Sequence, residues 1–196
     1  MERQKRSVAV PIDWSGITIK MYQKFQQIKL RNLKEDEFNK EVLGAICDLD
    51  KDMVDRMEVK SLKKIFNKLK FLNGKLPDNE ELVKKLDWNG KRYGFIPNLS
   101  EITTGEYVDI EEYCKDAEKN LHKIMSILYR PIVKETKTRY SIEHYKPSEE
   151  IYEEFLDFPV IPSVSALSFF FHLGKLLPNA LVKYLKRERE KLKKRA

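Results

Sequence analysis

With two cysteines, three histidines and seven glycines in 196 residues, the chain has little of what most chemical sites are built from. Cys47 and Cys114 stand far apart, which excludes a disulfide framework and the paired thiols of a structural zinc site. Both are expected as small apolar residues in a reducing compartment. The histidines His122, His144 and His172 form no His-x-x-x-His or Glu-x-x-His pair, so a metal-binding helix face is not expected. The scattered glycines form no phosphate-binding loop, dinucleotide fingerprint or nucleophile elbow. Asp48, Asp50 and Asp52 imitate the start of a calcium loop. The sixth position, however, is Met53 and the twelfth is Val59, so the sharp turn and the bidentate ligand are both missing. No catalytic residue, metal ligand or cofactor is therefore assigned. An enzyme working through carboxylates brought together in space, such as Asp109, Glu111 and Glu112, is the least favoured reading.

Long apolar runs are also lacking. The longest stretch without a charge, Phe158–Gly174, contains Pro159, Pro162 and His172. A spanning helix needs about 20 apolar residues, so no membrane partner is expected, and no secretory leader is read at Met1–Ser7.

What the chain does contain is charge, at 35% of residues, alongside 41% hydrophobic residues, a balance that fits a folded domain with a polar surface. The net charge of +7 is unevenly placed. Residues 7–182 carry 27 basic and 28 acidic side chains, whereas the last stretch concentrates Lys183, Lys186, Arg187, Arg189, Lys191, Lys193, Lys194 and Arg195 against Glu188 and Glu190. This organisation predicts a basic arm over 1–7, a mainly helical domain over 8–180 and a basic helical extension over 181–196. The extension suits electrostatic attachment to nucleic acid, an anionic surface or an acidic protein, or it is simply a solvated tail.

Periodicity supports a mainly α fold. Val8–Trp14 reads as a short edge strand, limited by Pro11. A helix follows from Ile17 with Thr18 as its cap, and a second follows Asp36, with Phe38, Val42 and Ile46 on one face. Leu62, Ile65, Phe66, Leu69 and Leu72 line a helix whose opposite face is Lys60, Lys63, Lys64, Lys68 and Lys70, ending in a left-handed cap at Asn73-Gly74. Asn89-Gly90 predicts a two-residue hairpin over about 83–96, carrying Trp88, Tyr93 and Phe95. Flanked by Lys84, Lys85, Lys91 and Arg92, these rings also suggest a base-stacking surface. The hairpin must pack on helices or pair with Val8–Ile12. Thr103 and Glu106 form a capping box, and Leu121, Ile124, Met125 and Leu128 mark a helix ending near Pro131. Lys134–Lys146 shows no clear period. Ser148 opens a helix that Pro159 stops, and Ser163 or Ser165 caps a Phe-rich one. On that last helix Phe169, Phe170, Leu173 and Leu177 share a face, which is either core or a partner-binding patch.

Trp88 to Ile132, with its Trp-Asn-Gly hairpin, Thr-Gly-Glu-Tyr helix start and Asn-Leu-His helix ending in Tyr-Arg-Pro, resembles small proteins encoded among the virion genes of tailed bacteriophages. The resemblance is looser at Asp13–Ile28 and over 149–158, and absent at the basic end. It implies a tail-assembly chaperone or minor structural component, located in the host cytoplasm or the virion. Such a protein acts without catalysis, through contacts with other phage structural proteins or with copies of itself. The alternative is a nucleic-acid-binding accessory protein that uses the basic extension.

Overall fold

The computed structural model describes residues 8–77 and 81–170. Its first half is a helical layer: α1 (Ile19–Leu30), α2 (Glu35–Cys47), α3 (Lys51–Asp55) and α4 (Val59–Lys68), the last tightening into a 3-10 turn over Leu69–Asn73. Its second half sets α5 (Thr104–Cys114), α6 (Leu121–Leu128), α7 (Glu149–Glu154) and α8 (160–170) around a sheet. The sheet comprises β1 (Lys85–Trp88), β2 (Lys91–Phe95), β3 (Tyr129–Glu135) and β4 (Tyr140–Ile142), antiparallel throughout in that order.

Local chemistry explains several boundaries. The Thr18 hydroxyl accepts from the Met21 amide and starts α1. Asp48, at φ 52°, ends α2 in the left-handed conformation that Asp tolerates. The Asp50 carboxylate then caps α3 by accepting from Met53 N. Asn89 and Gly90 both take positive φ (47° and 70°), the geometry a two-residue hairpin requires.

Five expectations are corrected. Val8–Trp14 forms no strand; Trp14 instead enters a 3-10 turn that buries its ring against Phe71 and Tyr22. Asp36 lies inside the first turn of α2, where its charge suits the helix dipole, while Lys34 occupies the cap position. Gly74 closes the α4 segment in extended rather than left-handed backbone. Ser163 and Ser165 sit within α8 and donate back to the carbonyls of Pro159, Ile161 and Pro162 instead of capping. The hairpin does not pair with Val8–Ile12: β2 pairs with β3, so α6 ends at Leu128 and Tyr-Arg-Pro belongs to a strand.

Pro131 stands opposite Tyr93 of β2, and its carbonyl accepts from Glu143 N at 2.9 Å, just past the end of β4. Tyr129–Pro131 pair with β2, whereas Ile132–Glu135 pair with β4. A register shift between Ile132 and Lys134 leaves Val133 61% exposed and breaks the alternation by which a strand is recognised.

Gly94 has a steric role in the sheet. A Cβ there would meet the Tyr140 ring, with Cδ2 at 2.9 Å, and Ile132 Cγ1 at 3.1 Å. Tyr140 covers the glycine from β4 and is held by its hydroxyl, 2.7 Å from the Phe95 carbonyl. Gly94→Ala is expected to cost about 1–3 kcal/mol by displacing this ring. A urea titration checks this, and the midpoint should fall without a change in slope.

Two hydrophobic clusters result. One gathers the inward faces of α1–α4 around Phe25, Leu43, Ile46 and Leu69; the other sets α6, the sheet and Phe155 and Phe158 around Tyr129. They meet where residues 17–19 run beside 158–160. Ile19 N donates to Phe158 O at 2.9 Å, and Val160 N to Ile17 O at 3.0 Å.

Candidate interaction surface

The aromatic face of the hairpin turns inward. Trp88 packs at 4.9 Å on Phe158 and 5.2 Å on Phe155, and Tyr93 is buried beside them. Lys85 and Arg92, expected to flank a base-stacking surface, both pair with Glu135 (2.8 and 3.5 Å). That surface is therefore corrected to core, because rings with an apolar layer within reach gain more by burial than by exposure.

Phe169 and Phe170, the described members of the expected partner-binding face, are half-buried and pack against the second cluster. The Phe169 ring meets Phe95 edge-on, with centroids 5.9 Å apart. Leu173 and Leu177 lie outside the described residues, as do Lys183, Lys186, Arg187, Arg189, Lys191, Lys193, Lys194 and Arg195. Phe169 has a second neighbourhood. It lines a groove of about 780 Å³ together with Ile96, Pro97, Leu99, Arg139 and Tyr140. Two parts of its lining are held in place: Tyr140 by its bond to the Phe95 carbonyl, and the 3-10 turn Leu99–Glu101 by its Asn98 cap. A groove lined by apolar and polar side chains together can receive a side chain from another molecule.

A second cleft, of about 390 Å³, lies beside Pro131, Val133, Ile142 and Ile151. Nearby, Tyr145 donates to Asp109 Oδ2 at 2.6 Å and lies 3.2 Å from the Tyr152 hydroxyl, which Tyr113 reaches at 3.3 Å. Burial, then these hydrogen bonds and neighbouring acids, push the Tyr145 and Tyr113 hydroxyls well above the usual phenol range, so they remain protonated. The chain of hydroxyls ties α5 to α7.

Of the other titratable groups singled out in the sequence, the two thiols and His122 are engaged in packing. Burial raises the Cys47 thiol to about 11 and also raises Cys114. His122, lowered by burial and by Lys123, lies 3.4 Å from Gln23 Nε2. Glu112 pairs with Lys115. Among the described residues, no cluster of three or more His, Cys, Asp or Glu is arranged to hold a metal ion, and no helix is long and apolar enough to cross a membrane.

No known protein family, curated protein or solved structure matches the chain. The surface must be interpreted from its own geometry.

Reasoning from residue types misses one buried pair. Glu106 is only 4% exposed, and its Oε1 meets Arg130 at 2.6 Å, while its Oε2 accepts from Thr103 N (2.7 Å) and Thr103 Oγ1 (2.8 Å). The capping box announces the Thr103 half of this arrangement. The Arg130 half depends on β3 bringing Arg130 within reach of Glu106, which the sequence does not announce.

Proposed function

We propose that the protein is a bacteriophage assembly or structural protein, close to a tail-assembly chaperone in role, that works through protein–protein contact without catalysis. The observation that supports this reading is the Phe169 groove. Phe169 anchors α8 to Phe95 and also lines an open concavity that mixes apolar and polar side chains. A partner side chain seated there buries apolar surface on both sides at about 25 cal/mol per Å². Lys84, Glu101 and Arg139 at the groove supply charges that orient the contact.

The test places a photo-crosslinking amino acid at Thr138, an exposed residue lining the groove, in protein expressed during phage infection. Adducts with a tail or head–tail protein are expected, or with a second copy of the chain. Leu99→Glu should weaken capture about tenfold by setting a charge against an apolar partner, the equivalent of about 1.4 kcal/mol. Recovery of no virion protein, with the chain strictly monomeric, overturns the reading.

A further inference from the structure

A second surface stands apart from the groove and has a different chemistry. The segment 59–75, comprising α4 and the turn after it, carries Lys60, Lys63, Lys64, Lys68, Lys70 and Lys75 and no acidic residue. Outside it, residues 7–182 hold 21 basic and 28 acidic side chains, so the near-neutral body is strongly polarised. All six lysines are exposed, and none forms an ion pair within 4 Å among the described residues. Elsewhere some cations are paired, Arg31 and Lys51 with Glu41, Lys40 with Asp55, and Lys85 and Arg92 with Glu135, while others such as Lys20, Lys24 and Lys134 are not; what sets 59–75 apart is six lysines in succession with no acid among them. Acids border the segment at its ends: Glu58 at the cap position of α4, and Glu35, which shares a cleft with Lys70.

A helix rises 1.5 Å per residue, so Lys60, Lys64 and Lys68 follow one another along a ridge at intervals of about 6 Å. Two nucleotide steps along one strand of a duplex cover a similar distance, about 7 Å. The opposite face of the helix is already used, since Leu62, Ile65, Phe66 and Leu69 pack into the first cluster. With its apolar stripe spent in the core, α4 cannot lay that stripe into a bilayer as an interfacial helix does. The lysine ridge also lacks the apolar centre that protein interfaces use, Val59 being its one strongly exposed large apolar residue. From the ridge of unpaired lysines, their spacing and the committed apolar face, we infer that α4 and its following turn form a docking face for a nucleic-acid backbone. Point charges on flexible stems read phosphates and not base edges, so binding is independent of sequence.

The experiment uses the full chain and a fluorescently labelled duplex DNA of mixed sequence, with affinity measured by anisotropy across a salt series. The variant Lys60→Gln/Lys64→Gln/Lys68→Gln is expected to bind at least about tenfold more weakly, and its log–log salt slope should be shallower by about 0.9 per lysine removed. These exposed substitutions leave the fold intact, and an unchanged circular dichroism melt verifies it. A companion variant, Lys191→Gln/Lys193→Gln/Lys194→Gln, separates the basic end from this face. Loss confined to the companion variant, with affinity and slope unchanged in the α4 variant, overturns the inference. Equal binding to phosphatidylserine vesicles, lost to the same degree in the α4 variant, also overturns it by assigning the face to an anionic surface in general.

Discussion

Replacing Glu106 with alanine is expected to destabilise the protein by about 3–5 kcal/mol, and replacing Arg130 with alanine by a similar amount. Each removal leaves the other charge stranded where water does not reach it, for Glu106 is 4% exposed and the Arg130 side chain only 12%. Glu106→Ala also removes the acceptor for Thr103 N and Oγ1, freeing the first turn of α5. The pair itself is not an economical source of stability. Arg130 Nε is buried without an acceptor among the described residues, so part of its desolvation goes uncompensated. The double variant Glu106→Leu/Arg130→Met should therefore recover much of what either alanine variant loses. Urea unfolding of the three proteins checks this; single variants within about 1 kcal/mol of the parent would show that the pair is not coupled.

The same carboxylate sets an acid limb. Burial raises its proton affinity, but the bonds from Thr103 and the charge of Arg130 outweigh burial and hold it below the ordinary glutamate range. A group whose folded value lies below its unfolded value stabilises the fold fully above the unfolded value, near pH 4.3. That contribution is lost as pH falls through the folded value. Stability should decline from about pH 5 downward, and Glu106→Gln should flatten the decline relative to the parent.

Much of the helical layer can be read from the sequence because the signals are local. Thr18 caps its own helix, Leu62, Ile65 and Leu69 mark their own face, and Asn89-Gly90 turns its own hairpin. What failed was long-range. Pro131 resembles a helix stop, yet it lies within β3, opposite Tyr93 of β2, a partner distant in the chain. The register shift at Val133 removed the period that would have marked β3, and Tyr140 across Gly94 leaves no trace in either neighbourhood alone. The candidate surfaces divide in the same way. The lysines of α4 are visible in the sequence, but that none forms an ion pair among the described residues is seen only in the structure, where Glu41, Asp55 and Glu135 are bound to other cations. Phe169 is visible as an apolar residue, yet its place between Phe95 and an open groove depends on the sheet.

Phe158→Ala should be the most damaging single truncation of the core, at about 3–5 kcal/mol. The ring is fully buried, stacked on Phe155 at 5.0 Å and surrounded by Trp88 at 4.9 Å, Tyr129 at 5.3 Å and Tyr93 at 6.5 Å. Four neighbouring rings cannot collapse into the vacated space without leaving their own contacts, so most of the cavity persists. Position adds to volume, since the Phe158 carbonyl accepts from Ile19 N and the next residue but one, Val160, donates to Ile17 O. Loosening this residue therefore loosens the seam between the two clusters. Amide exchange at Ile19 and Val160 should accelerate in Phe158→Ala well before that at Leu43 or Ile46, which lie deep in the first cluster. Phe158→Leu, retaining most of the bulk, should cost only about 1–2 kcal/mol. Equal acceleration at all four amides would instead mean that the two clusters unfold as one cooperative unit, and that the seam is no weaker than what it joins.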